Sequence, residues 1–317
     1  MPRYNAQHLL RALEAAIGRE SARLEFKWMT QALSSAPPPY PMTRHAPIPD
    51  LPTMIARRVR GEPLQYILGT QPFGPLQHLR VRPPVLIPRP ETEEWALRLS
   101  RMLAPSPRAP VRVLDLCTGT GCIPLLLCAQ WPPGSTLAVG VDISTAALEL
   151  AAENAAVCGV PTSTPAAADG PPHPPHPPTS TNVFIPFRGD LSDPDRLARA
   201  LPFRPFHVLT ANPPYIPRAE YDALPPSVRD FEDPAALLGD PPGAPDRRGL
   251  TFYHHIARAL RSAGGRVLAD GALVALEVGD GQARAVERIL LDETPLRRTE
   301  VWEDAWGKER VVVARGG

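Results

Sequence analysis

The chain has 317 residues, enough for one large domain and a smaller one. Its 34 basic and 33 acidic side chains leave a net charge of +1, so no broad positive field argues for nucleic acid as the main partner, although a local basic patch could hide in such an average. No apolar run reaches the ~20 residues needed to cross a bilayer, and Cys117, Cys122, Cys128 and Cys158 follow no zinc spacing, so they read as reduced, buried thiols.

The chain opens on a helical pattern. Residues 6–18 carry Leu9, Leu10, Leu13, Ala16 and Ile17 at helical spacing and stop at Gly18. A second helix is expected from about Glu20 to Leu33. Residues 34–49 hold too much proline for a helix and read as a linker. Residues 50–60 are helical again, with Asp50 as N-cap. A small helical domain over residues 1–60 is therefore expected. Residues 61–90 read as turns and short strands, a hairpin-like connector. Residues 91–104 read as a helix with acids in its first turn, where the helix dipole favours them.

From residue 111 apolar runs alternate with helical segments. VRVLDL, TLAVGVDI, NVFIPFRGD, FHVLTANPPY and GALVALEV are strand candidates, and the last stretch, VWEDAWGKERVVVARG, reads as a closing hairpin. Helices are expected at IPLLLCAQW, at STAALELAAENAAVCG with Ser144 as N-cap, at TFYHHIARALRSA and at GQARAVERILL. Strands alternating with helices imply an α/β domain over 91–317 with a mainly parallel, doubly wound sheet. Residues 161–181 lack apolar periodicity and read as a disordered, proline-rich surface insertion. His173 and His176 lie there without carboxylates or thiols beside them, which is weak evidence for a metal, and no metal site is expected. A second Pro/Gly-rich loop spans 239–249. The 43 prolines read as a composition bias expressed where structure tolerates it.

Three motifs carry chemistry. The first is the tight turn Cys117, Thr118, Gly119, Thr120, Gly121 between a strand ending at Asp115-Leu116 and a helix. Its glycines allow a ligand close to the backbone at the carboxyl end of a strand, where open α/β sheets bind ligands. It is neither a dinucleotide fingerprint nor a phosphate loop, so it suits an adenosine ligand without a phosphate tail, such as S-adenosylmethionine (SAM). Read blandly, it is a strand-to-helix turn with no ligand. The second is Asp142, about twenty residues on at the end of the next strand, placed to accept from ribose hydroxyls; alone it would be an ordinary cap-region acid.

The third and most specific is Asn212-Pro213-Pro214-Tyr215, directly after a strand. Neither proline has an N–H, so the turn presents oxygens without competing donors. The Asn212 side-chain oxygen and the Pro213 carbonyl can accept both hydrogens of a planar –NH2 group and steer its lone pair toward a methyl donor. Tyr215 can stack on the flat amide or base and face the cationic sulfonium. The bland alternative is a proline-stiffened loop. No Ser–His–Asp set and no carboxylate pair is readable. Methyl transfer from a sulfonium needs little acid–base help, because in-line positioning at ~3–3.5 Å does most of the work.

Taken together, these motifs resemble the HemK/PrmC family of protein-glutamine methyltransferases, over nearly the whole chain. Gly61 through Gly69 (GEPLQYILG) is similar to that family's connector, and Leu86 through Glu93 (LIPRPETE) to the stretch leading into the catalytic domain. Asp115 through Gly121 is similar to the SAM loop, Asp142 to the ribose acid, Gly189-Asp190 with Leu191 to the residues beside the adenine, and Asn212 through Tyr215 to the acceptor motif. Glu232-Asp233-Pro234, Gly249-Leu250, Glu277-Val278-Gly279 with Gln282, and Asp304 through Gly307 to Arg310 follow in the family's order. The resemblance implies SAM as cofactor and, as partner, a class I peptide chain release factor whose Gly-Gly-Gln glutamine is methylated in support of translation termination. The helical domain would dock that factor, and the chain would act as a monomer.

Cys117 departs from the family, which commonly has glycine there, and the insertions at 161–181 and 239–249 are longer than it needs. A long, proline-rich chain of this kind looks like the eukaryotic organellar branch. Arg3, Arg11, Arg19 and Arg23, with no acid before Glu14, fit a mitochondrial address; the exposed face of a first helix would look the same, and the cytoplasm is the other expectation. The acceptor motif alone is shared with DNA adenine methyltransferases. An amino-methyltransferase of nucleic acid is thus the alternative, and it predicts a basic face and a target-recognition module. A non-catalytic binding protein would instead show a damaged loop or acceptor motif.

Overall fold

A computed structural model describes residues 5–34, 49–163, 180–244, 247–262 and 266–316. The expected linker at 34–49 and the insertion at 161–181, with His173 and His176, lie almost wholly outside these residues, as does part of the loop at 239–249.

The chain begins with helices α1 (Ala6–Ile17), α2 (Arg19–Ser34), α3 (Leu51–Val59) and α4 (Leu64–Leu68). Side chains cap them where the sequence offers an oxygen: Asn5 accepts from the His8 N–H and Asp50 from the Thr53 N–H. Leu13, Ala22, Met29, Met54, Ile55, Leu64 and Ile67 form their own small core, and a two-pronged Arg58–Glu25 pair ties α3 to α2. Where turns were expected at the start of the connector, α4 makes a single helical turn. Pro63 stands at its start and Gly69, in the left-handed region at φ 75°, ends it. The hairpin follows as β1 (Thr70–Phe73) and β2 (Leu76–Arg80), paired antiparallel. Two strands alone are marginal in water; this pair is held because Phe73, Leu76 and Leu79 are buried in the main core.

The remaining elements are α5 (Pro90–Ser100), β3 (Val111–Leu116), α6 (Cys122–Gln130), β4 (Thr136–Asp142), α7 (Thr145–Val157), β5 (Val183–Arg188), α8 (Pro194–Ala200), β6 (Phe206–Ala211), α9 (Arg218–Asp222), α10 (Pro226–Arg229), α11 (Pro234–Leu237), α12 (Thr251–Arg261), β7 (Leu268–Glu277), α13 (Ala283–Glu293), β8 (Leu296–Glu303) and β9 (Glu309–Gly316). The strands form one sheet in the order β5-β4-β3-β6-β7-β9-β8, parallel except for β9, which runs antiparallel between β7 and β8. The α/β, mainly parallel, doubly wound architecture is therefore present.

Both faces of the sheet are covered at its centre, so β3, β4, β6 and the second half of β7 are buried in continuous runs rather than alternating, while edge strand β8 is largely exposed. On β3, Leu114 and Leu116 face a core shared with α8, α12 and α13, while Val113 faces a second core with α5, α6 and α7. Helix α6 is buried nearly all round, which explains its lack of a polar face. Short α8 to α11 were not foreseen. Each starts at or just after a proline and spans too few residues for a period to show. Strand order reverses between β3 and β6, and in such sheets the crevice at that switch point, outside the carboxyl ends of the strands, is where ligands bind.

Candidate active site

The loop after β3 is shaped by backbone that few side chains tolerate. Cys117 lies at φ 58°, Gly119 at 55° and Gly121 at 77°, all left-handed. A Cβ at position 117 strains the main chain by ~1–2 kcal/mol. Gly121 has a second constraint, since an added Cβ would lie 3.2 Å from the Ala151 Cβ on α7.

Asp142, at the end of β4, stands beside this loop. Its Oδ2 accepts from the Gly119 N–H at 2.9 Å and its Oδ1 from the Ser144 N–H at 2.9 Å. It thereby holds the loop open and keeps further lone pairs for a ligand. Burial raises its carboxyl above the usual range, and the backbone donors of Ser144, Gly119 and Ile143 pull it back. Asp115 lies fully buried at the end of β3. Thr210 donates to its Oδ1 at 2.6 Å, while Oδ2 has no partner. Burial pushes this carboxyl up to about 7. The buried hydroxyls of Thr118 and Thr120 also lack partners. Cys117 packs against the core, and burial first, then Asp142 and Asp115, holds its thiol neutral. Ile143, next to Asp142, is 54% exposed and offers an apolar face at the rim.

Asp190 and Leu191 follow β5 and are brought near through the Gly189 N–H, which donates to the Asp142 carbonyl at 3.0 Å. The Asp190 carboxylate is engaged by the backbone and hydroxyl of Ser192. Leu191 is buried in the core with Leu197 and Leu201, so any ligand contact by Leu191 falls to its main chain.

Across the switch point, Asn212 leaves the end of β6 half-buried, followed by buried Pro213 and Pro214 and half-buried Tyr215. The Asn212 Nδ2 donates to Thr92 Oγ1 at 3.2 Å. Thr92, in the first turn of α5, donates to Glu277 Oε2 at 2.6 Å, and the Trp95 indole N–H donates to the same oxygen at 2.7 Å. Tyr215 points its hydroxyl at Glu277 Oε1, 3.4 Å away. Glu277 closes β7 and is buried; burial raises its carboxyl, and the Thr92 and Trp95 donors lower it. Burial and then the charge of Glu277 raise the Tyr215 phenol, so it stays protonated.

The loop's own course is clamped from behind. Gln282 Nε2 donates to the carbonyls of Tyr215 at 2.8 Å and Arg248 at 2.7 Å, and its Oε1 accepts from the Gly279 N–H. Gly249 passes so close that an added Cβ would lie 1.9 Å from the Tyr215 carbonyl oxygen. Asp240 fixes Gly249 by accepting its N–H at 2.7 Å. Of these supporting residues, the sequence flagged the segments holding Thr92, Gly249, Glu277 and Gln282 without a role for any of them. Trp95 and Asp240 gave no signal at all.

The donor set decides what the crevice can hold. Buried carboxylates and hydroxyls without a partner among the described residues line the loop, and no basic side chain among those residues is bonded there, which fits a cationic ligand without phosphate. Among the described residues no group of three or more His, Cys, Asp or Glu side chains is placed to hold a metal.

No family model matches the chain. The release factor glutamine methyltransferase of Cereibacter sphaeroides is 35% identical over 318 residues, covering 96% of this chain and 97% of that protein. The chain belongs to the release factor glutamine methyltransferase family. The enzyme of that name from Geobacter sulfurreducens is 36% identical, covering 83% of this chain and 77% of its own. A probable mitochondrial N(5)-glutamine methyltransferase of Schizosaccharomyces pombe is 30% identical, covering 92% and 87%. As a member of this methyltransferase family the chain is an enzyme, and its methyl donor is SAM, which the crevice residues fit.

Proposed function

We propose that the chain methylates the side-chain amide nitrogen of the glutamine in a Gly-Gly-Gln segment of a peptide chain release factor. The observation that carries this reading is the Asn212 amide. Its nitrogen is committed to Thr92, which leaves Oδ1 and the Pro213 carbonyl as the acceptors at the end of β6. Two oxygens suit the two hydrogens of a primary amide and hold its plane edge-on to the loop. The assigned roles follow from that placement. Asn212, Pro213 and Pro214 bind and orient the amide, and Tyr215 covers its flat face. Asp142 takes the ribose hydroxyls; Cys117 to Gly121 line the donor, and Asp190 and Leu191 border its base.

When bound, SAM supplies a methyl group on a sulfonium whose departure leaves a neutral thioether. The amide nitrogen forms the new N–C bond as the C–S pair returns to sulfur, and the surplus amide proton leaves to water. The carboxylates of Asp142 and Glu277 provide the negative surroundings that a cationic donor needs, and no general base is required.

We place the docking of the release factor on the N-terminal helices, where Leu24 and Trp28 are 47% and 43% exposed four residues apart on α2. We also place the enzyme in mitochondria, a setting that the S. pombe relative supports. The experiment is transfer of labelled methyl from SAM to a purified mitochondrial-type release factor, beside a variant lacking the Gly-Gly-Gln glutamine. Label on the first and none on the variant is expected. Label on both would reject the acceptor, and label on DNA or RNA instead would make the enzyme a nucleic-acid amino-methyltransferase.

A further inference from the structure

We propose that Thr92, held by Glu277, is a positioning residue that sets which end of the Asn212 amide faces the substrate. An asparagine amide can sit either way round in its site, and only its hydrogen-bond partners decide. Here the decision is traceable atom by atom. The Trp95 indole nitrogen can only donate, so Glu277 Oε2, 2.7 Å from it, must accept. The same oxygen is 2.6 Å from Thr92 Oγ1. Thr92 has one hydroxyl hydrogen, and an oxygen already acting as acceptor takes it. The Thr92 oxygen is then left with lone pairs alone. Its remaining partner, the Asn212 amide at 3.2 Å, must present the –NH2 group. Oδ1 is turned outward by elimination.

Glu277 keeps this polarity even with a proton, because Trp95 blocks Oε2 and a proton would sit on Oε1, on the Tyr215 side. The outward oxygen selects a group that brings N–H donors and repels a carboxylate. On the proposed function, on which this inference rests, it separates glutamine from glutamate at the acceptor.

The test is a set of variants in the full-length enzyme. Thr92→Val keeps the shape and removes the relay; kcat falls about tenfold, the scale of one lost orienting hydrogen bond, while SAM affinity by calorimetry stays put. Thr92→Ser restores the hydroxyl and most of kcat. In the Asn212→Ala background, Thr92→Val has no further effect, because Thr92 acts only through Asn212. Additive losses in that double variant, a lasting defect in Thr92→Ser, or an unchanged kcat in Thr92→Val overturns the proposal. Wild-type transfer to the Gly-Gly-Gln protein is the control for the function itself. If that control fails, neutron diffraction still decides the relay: hydrogen on the Thr92–Glu277 line and –NH2 toward Thr92 supports it, and a flipped Asn212 overturns it.

Discussion

In the proposed function Asn212 has two tasks in one side chain: its Oδ1 accepts from the substrate, and its nitrogen is held by the buried Thr92–Glu277 pair. Its loss should therefore cost more than an ordinary hydrogen bond. Asn212→Ala is expected to lower kcat on the order of 10²–10³ and to leave SAM binding unchanged; near-normal turnover would contradict its role. Asp142→Ala is expected to do the reverse, weakening SAM in calorimetry, since its oxygens also hold Gly119 and Ser144. Cys117 makes a third case. Its left-handed backbone favours glycine, so Cys117→Gly should raise the melting temperature, by roughly 1–3 °C, once the strain removed is offset by glycine's extra entropy in the unfolded chain. An unchanged or lower melting temperature would mean that the thiol's packing outweighs the strain. The sequence showed that residue 117 departs from its family, but not that the departure falls on a left-handed residue.

At the scale of elements, the acceptor loop is a segment whose path is set from outside. Gly249 and Gln282 meet the Tyr215 carbonyl from two sides. Gly249→Ala puts a carbon where that oxygen lies, so the loop must shift. Lower kcat with intact SAM affinity is the expected result, and equal losses of both would mean that the sheet edge itself had collapsed. This is also where reading the sequence stopped. The buried strands were legible because β3, β4, β6 and β7 are apolar runs ended by polar or glycine turns. The motifs at their ends were legible because their residues are neighbours in the chain. Thr92 and Asn212 lie 120 positions apart and Thr92 and Glu277 lie 185 apart, so no spacing rule connects them. Only the packing of α5 across the carboxyl ends of β6 and β7 brings them together. The single turns α4 and α8 to α11 were hidden for a different reason: four to seven residues are shorter than the stretch over which a period can be counted.

At the scale of the molecule, the sheet stores a dependence on pH. Burial moves the Asp115 carboxyl from an ordinary 3.8 to about 7, so the folded chain holds a proton that the unfolded chain has released. The stability this contributes is complete below pH 3.8 and lost as the pH rises through about 7. The melting temperature of the SAM-free enzyme should fall between about pH 4 and 7, and Asp115→Asn should flatten that fall; an unaltered slope would assign it to other groups. The helical domain makes a separate prediction. Trp28→Ser should raise KM for an intact release factor while leaving kcat and the KM for a short Gly-Gly-Gln peptide unchanged. A parallel rise for the peptide would remove α2 from docking.

One buried amide joins the connector hairpin to the loop after β3. Asn154 on α7 accepts from the Arg80 N–H at 2.7 Å and donates both to the Arg80 carbonyl, on the connector hairpin, and to the Thr120 carbonyl, in the loop after β3. Hairpin and loop thus share a rivet. The Arg80 main chain on the hairpin and the Thr120 carbonyl in the loop after β3 are fixed relative to each other through this one side chain.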